Sequence, residues 1–196
     1  MPGREGGRSA RTGSPMPTVI THAILPLAAG IALGRHRIPP RLVVAGMVAA
    51  MLPDADVAMF ALGVDYAHAF GHRGASHSLM FALACGVFAA CFARPLKASA
   101  LATLFFITAS TASHPLLDML TDGGLGVALF WPWSDVRHFA PWRVVDVSPF
   151  ANRFFSARGV EVLVSEVRWV WLPTIALAGF AAWVRHRTGL RTREVS

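Results

Sequence analysis

Charge is what this chain has least of. Asp, Glu, Lys and Arg make up 15% of the residues against 54% hydrophobic, well under the roughly one-quarter charged content of soluble domains. That composition disfavours a water-soluble globular domain and favours a membrane protein. Cysteine is nearly missing too. Cys85 and Cys91 lie six residues apart in one apolar run, on different helical faces, and no CxxC occurs. A disulfide framework and a thiolate metal site are thereby excluded, and both cysteines read as small core residues. Residues 1–15, MPGREGGRSARTGSP, contain no apolar segment, which excludes a secretory signal and marks a disordered tail, with Met16 as an alternative start. There is no Gly-rich phosphate loop, no GxSxG and, after residue 15, no low-complexity stretch.

Nor is the formal net charge of +7 spread as a binding face. Arg4, Arg8 and Arg11 against Glu5 contribute +2, and Arg185, Arg187, Arg191 and Arg193 against Glu194 contribute +3. Most of the remainder sits at the ends of apolar runs, without interleaved aromatics, so these residues read as membrane anchors and a nucleic-acid partner is disfavoured.

What the chain does have is apolar length. Five runs stand out: Val19 to Leu33, Leu42 to Leu52, Leu79 to Ala93, Ala98 to Ala112 and Val167 to Val184. Most are near or below the ~20 residues that cross a hydrocarbon core. GRHRIPPR (34–41) breaks the first run from the second, and ARPLK (93–97) the third from the fourth, because Gly and Pro end helices and arginines mark polar turns. The second run is expected to stop at Pro53, and the fourth at about Ser113 ahead of Pro115. The expected fold is all-α: an integral membrane bundle of four to five apolar helices, two hairpins plus a C-terminal helix. One membrane domain spans residues 16–184 and a basic tail follows at 185–196. Residues 125 to 166, with Trp131, Trp133 and Trp142 and the alternating runs WRVVDV and VEVLV, read as an irregular Trp-rich cap at the interface.

Counting along the hairpins brings distant residues together. His22 lies thirteen residues before Arg35 and Asp54 thirteen after Arg41, so both stand about 20 Å from the basic turn at 1.5 Å per residue. His77 and His114 are seventeen residues from Arg94 and Lys97 respectively, about 25 Å. If the hairpins pack side by side, all four meet at one end. Lys and Arg gather in cytoplasmic loops. The turns at 35–41 and 94–97 and the C-terminus should then be cytoplasmic, and the polar end should face outward. The Arg-bearing N-terminal tail runs against this orientation, and a start at Met16 removes the conflict.

The common end carries Thr21-His22, LPDAD with Asp54 and Asp56, HRGASHS with His72 and His77, and SHPLLD with His114 and Asp118. His114 and Asp118 are four apart, one above the other on a helix that has Pro115 in its first turn. Imidazole and carboxylate suit zinc, with iron or manganese as alternatives. Seven candidate ligands, His22, Asp54, Asp56, His72, His77, His114 and Asp118, exceed one tetrahedral shell. They therefore fit either two divalent ions per chain, or one ion with Asp56 and His72 as general base and ligand partners. Arg73 is placed to hold an anionic substrate group, and Ser76 or Ser78 to orient a ligand. His68 reads as an outer partner of the cluster, His36 and His186 as solvated, and Ser134 and Asp135 as rim residues.

THAILPLAAG, LPDAD, HRGASHS, SHPLLDMLTDGG and FWPWSD, in this order and spacing from about Met16 to Phe150, resemble the YdjM-like family of inner-membrane-associated proteins assigned as metal-dependent hydrolases. Ser76 stands where Thr is expected, and Pro115 where a plain helix former is usual. The resemblance implies a multi-pass protein of a bacterial inner membrane, with those same seven residues as metal ligands, and it names no substrate. The resulting expectation is a membrane-bound hydrolase, among membrane lipids, acting through metal-activated water on a phosphoester or lipid-like envelope substrate. The rival is a non-enzymatic membrane protein: a metal or proton transporter, or a bundle held by a polar cluster. A transporter predicts ionisable residues along a path across the bilayer, and the middles of the third and fourth runs carry none. The oligomeric state is left open.

Overall fold

Gly34 and the Pro39-Pro40 pair end one helix and start the next as the composition requires. Gly34 (φ +81°) closes α1 (Val19–Leu33) with its N–H on the Gly30 carbonyl at 2.9 Å, and Pro40 opens α2 (Pro40–Met51), where its missing N–H costs no hydrogen bond. The computed structural model describes residues 18–147 and 157–194. Beyond α2 come α3 (Ala58–Ala61), α4 (Leu79–Ala90), α5 (Ala100–Asp118), α6 (Ala157–Glu166) and α7 (Leu172–Glu194). Ser78 and Ser99 cap α4 and α5, their hydroxyls accepting the Phe81 and Ala102 N–H groups at 3.0 and 3.1 Å. Residues 1–15, expected as a disordered tail, lie outside the described residues.

The described residues are all-helical, with isolated bridges Thr121–Val145 and Val127–His138 but no strand. The two expected hairpins form. α1 packs on α2, α4 on α5, and α2 on α5 joins them, while α7 lies along α1. Ile38, Leu42, Ala49, Phe106 and Ile107 make the core between them. Small residues allow the close approach: a Cβ at Gly86 would stand 2.0 Å from Thr108 Oγ1, and one at Gly46 2.5 Å from Phe106 Cε1. Pro40–Ala61, Ala100–Asp118 and Gly159–Thr188 are long and apolar enough to cross a membrane, and α1 and α4 are shorter apolar helices.

Three expectations are corrected, while that at Pro53 holds: α2 stops at Met51, and a 3-10 turn, Leu52–Val57, with Pro53 at its start, and α3 carry the chain on. A proline in a first turn has no bond to lose. Pro115 sits inside α5 rather than in the first turn of a new helix, and the Met119 N–H on the Pro115 carbonyl, 3.0 Å, carries the helix end past it. The run VEVLV belongs to α6, not to the cap. Val162 is buried while Val160 and Val164 are exposed, and on a helix with apolar surroundings an alternating run carries no strand signal. Cys91 is exposed at the end of α4 rather than in the core. Helix α7 also runs on through the basic segment to Glu194.

A bulged π turn, Val167–Trp171, joins α6 to α7 and turns two side chains onto the start of α1. Glu166 accepts from the Thr18 N–H (2.6 Å) and from the Thr18 and Thr21 hydroxyls (2.5 and 2.6 Å), while Trp171 Nε1 donates to Thr21 Oγ1 (2.9 Å). At the opposite end Arg185 donates to the carbonyls of Ile31 (3.0 Å) and Ala32.

Candidate metal centre

All seven predicted residues come to one end of the bundle, placed by four local devices. His22 stands on the first turn of α1, and His114 and Asp118 stand one turn apart on α5. The 3-10 turn after α2 carries Asp54 and Asp56, and its tighter winding sends them to different neighbours. His72 and His77 come from the loop before α4. That loop is wound hard: a Cβ at Gly74 would stand 2.2 Å from the Ala69 carbonyl oxygen. Arg73 beside it has φ 60°, a conformation that costs about 1–3 kcal/mol and persists only where the surroundings compel it. They do. The Arg73 N–H reaches Asp56 Oδ2 (3.3 Å), its carbonyl accepts the Ala128 N–H (3.0 Å), and its guanidinium is fixed from the cap side.

Two groupings share His77. Asp54, His77, His114 and Asp118 each bring one ligand atom within 4.8 Å of the others, as do Asp56, His72 and His77. His77 Nε2 lies 3.0 Å from His114 Nε2, 3.3 Å from Asp118 Oδ2 and 3.8 Å from Asp54 Oδ1. His77 Nδ1 faces the other way, 3.1 Å from Asp56 Oδ2 and 3.0 Å from Ser76 Oγ. His114 Nδ1 reaches the Ala50 carbonyl at 2.7 Å, and its Nε2 stands 3.3 Å from Asp54 Oδ1. His22 falls outside both groupings but closes the cluster. Its ring stacks on His114 with centroids 3.6 Å apart, and its Nε2 is 3.6 Å from Asp118 Oδ1.

The donor set fits a cation. A carbonyl can only accept, so His114 Nδ1 carries its proton and the Nε2 lone pair points inward. Asp56 does the same for His77, accepting from its Nδ1, and it also takes the Ser76 hydroxyl (2.5 Å) and approaches His72 Nδ1 (2.6 Å). Two Nε2 lone pairs 3.0 Å apart repel unless a proton or a metal ion lies between them. Both oxygens of Asp54 and of Asp118 and both nitrogens of His22 are buried without a well-formed hydrogen bond, the state expected of ligand atoms rather than of core polar groups. Burial alone would lower the His77 pKa, but the Asp118, Asp54 and Asp56 carboxylates within 3.8 Å of its ring nitrogens overcome it and raise it well above the ordinary histidine value. The cluster can therefore hold a metal ion or, in its place, a proton.

Around it stand residues the sequence reading gave other roles or none. The buried Arg73 is partly spoken for within the protein: Nε lies 3.2 Å from Asp118 Oδ2, and Nη1 donates to Thr121 Oγ1 (3.1 Å) and the Gly123 carbonyl (3.0 Å), while Nη2 is buried without a hydrogen-bond partner. Arg137, which carries no motif signal, ties cap to loop by donating to the carbonyls of His72, Gly126, Tyr66 and His68, and burial lowers its pKa. Tyr66 meets the His72 ring edge-on at 5.4 Å, and burial raises its pKa. His68 is exposed and accepts the Phe70 N–H on Nδ1, outside the cluster. Ser78 is the α4 cap, Ser134 accepts the Val136 N–H, and Asp135, His36 and His186 are exposed. Glu166 was a missed signal, since a carboxylate within a membrane-length helical segment calls for a partner.

The family model described as YdjM inner membrane protein matches residues 16–188. The inner membrane protein YbcI of Escherichia coli (strain K12) is 50% identical over 172 residues, covering 87% of this chain and 99% of that relative. No solved structure gives a significant match.

Proposed function

The chain belongs to the YdjM inner membrane protein family, and from that premise we propose that it is a membrane-bound, metal-dependent hydrolase acting on an ester or phosphoester of an envelope amphiphile. One observation carries the reading: His77 and His114 aim Nε2 at each other across 3.0 Å, each with Nδ1 anchored behind, and Asp54 and Asp118 close the same space. Asp54, His77, His114 and Asp118 would hold the ion, with His22 beside Asp118. Asp56 is a positioning residue that fixes the His77 ring, as carboxylates behind metal-bound histidines do. This mixture of imidazole and carboxylate suits zinc first, then iron or manganese. A divalent cation bound there supplies a Lewis acid and lowers the pKa of a water towards ~7.

Arg73 orients Asp118, and its charge compensates part of the cluster's carboxylate charge. The cluster lies at one end of the bundle, which favours a site at the membrane surface over a conduit through it. The basic turns lie together at the other end, with Arg41 Nη1 on the Pro95 carbonyl at 3.0 Å. This favours a cytoplasmic C-terminus and a site at the outer leaflet.

The test is metal analysis of detergent-purified protein beside His77→Ala and Asp118→Ala. Stoichiometric metal is expected in the wild type and its loss in both variants. Hydrolysis of a phosphoester and acyl-ester panel should be abolished by a chelator and restored by zinc. Wild-type protein that takes up no zinc, iron or manganese at neutral pH would overturn the proposal.

A further inference from the structure

The ligand atoms are nearly sealed: His22, His77, His114 and Asp118 have no exposed side-chain surface and Asp54 keeps 4%, while Asp56 keeps 6%. The exposed edge of Asp56 opens on an apolar cavity of about 520 Å³ between the 3-10 turn and α3, the start of α4, and the cap. Met59, Phe70, Met80, Phe81 and Trp131 form its walls, and Asp56 and Ser76 are its acidic and hydroxyl-bearing members. They are hydrogen-bonded to each other at 2.5 Å, with Asp56 3.1 Å from His77.

Those walls decide what the cavity suits. A small, water-soluble substrate would gain nothing from five large apolar side chains, whereas a hydrocarbon chain gains from each methylene it buries. Methionine pairs adapt to flexible apolar ligands. The cavity lies where the Pro40–Ala61 span ends and α4 begins, with a cap tryptophan on its rim, the depth at which hydrocarbon gives way to headgroups. An amphiphile in the bilayer already has its chain on one side of that boundary and its polar linkage on the other.

We propose that this cavity is the acyl-chain subsite of the hydrolase, taking one chain of a membrane amphiphile laterally from the bilayer and setting its polar linkage against Asp56 and Ser76, beside His77. The proposal rests on the metal-hydrolase reading for the fate of that linkage, and on the cavity alone for the chain. A larger apolar groove of about 770 Å³ between α1, α5 and α7 has no cluster residue in its lining and serves as the reference for bulk lipid.

Photolabelling tests it. Full-length protein of measured metal content is placed in phosphatidylethanolamine vesicles doped with a phosphatidylglycerol carrying a diazirine in one acyl chain, and labelled residues are mapped. Label on Met59, Met80 and Phe81 should exceed that on Leu177 of the reference groove. Ala84, an exposed α4 residue lining the cavity, supplies the variant: Ala84→Trp should cut the cavity label about tenfold and leave metal content and Leu177 label unchanged. If Ala84→Trp fails to fold, Met59→Trp obstructs the same space from the opposite wall. Cavity label no higher than Leu177 label, or unmoved by the folded variant, overturns the subsite. With an active ester in hand, the variant should raise KM for long-chain esters and keep kcat on short-chain ones. Protein that neither binds metal nor hydrolyses any ester fails the hydrolase reading instead, whatever the label shows.

Discussion

At the scale of single residues, His77 organises the cluster, because its two ring nitrogens serve different masters. Nε2 faces His114, Asp118 and Asp54, and Nδ1 faces Asp56. Asp56 in turn is held by Ser76, His72 and the Arg73 N–H, so the ring orientation is fixed through several bonds. Replacing Asp56 by Asn keeps the shape and removes the charge that polarises His77. The expected result is metal affinity about 10–100-fold weaker, measured by competition with a chelator of known affinity, with the ion-to-protein ratio at saturation unchanged. A saturating ratio that falls by one ion per chain would instead make Asp56, His72 and His77 a second metal site. His114→Ala, by contrast, should lower the ratio itself, because it removes a ligand atom and frees the Ala50 carbonyl.

At the scale of elements, α1 is bracketed by one long partner. Glu166 satisfies the N–H and hydroxyls at its start and Arg185 the carbonyls at its end, an acid at the helix N-terminus and a base at the C-terminus in the sense the macrodipole favours. The two ends differ in value. Glu166 is fully buried, so Glu166→Ala strands the Thr18 N–H and the hydroxyls of Thr18 and Thr21 and should cost about 1–3 kcal/mol, seen as a lower thermal midpoint in detergent. Arg185→Ala should shift that midpoint less, since water or headgroups can reach the exposed carbonyls it leaves. The helix breakers at 34–40 and 93–97 made both hairpins legible in the sequence, and counting from them brought His22, Asp54, His77 and His114 to one level. Proline at 115 misled, because a proline backed by later helical bonds does not end a helix. The Glu166–Thr18 contact was out of reach: it joins residues 148 apart, and no local pattern encodes which buried acid meets which helix end. The Ala50 carbonyl that fixes His114 was equally hidden, since every residue has a carbonyl and only packing selects one.

At the scale of the whole molecule, the bundle is polarised end to end. Arg35, Arg37, Arg41, Arg94 and Lys97 lie in the hairpin turns, and Arg185 joins them against the end of α1. At the site end, Arg73 and Arg137 are engaged by Asp118, Thr121 and loop carbonyls, and the exposed Arg143 and Arg168 are fewer cations than the basic turns and the end of α7 present. The proposed orientation, with the basic turns in the cytoplasm and the cluster and its cap outside, is the one the positive-inside rule favours. The two native thiols make this testable without a large fusion. Cys91 is exposed near the basic turn, and Trp133 is exposed on the cap. In intact cells a membrane-impermeant maleimide should label Trp133→Cys built on Cys91→Ala, and should reach native Cys91 only after permeabilisation. A reporter fused after Ser196 should read as cytoplasmic. The opposite labelling would turn the site towards the cytoplasm, and the amphiphile reaching the Asp56 cavity would then have to come from the inner leaflet.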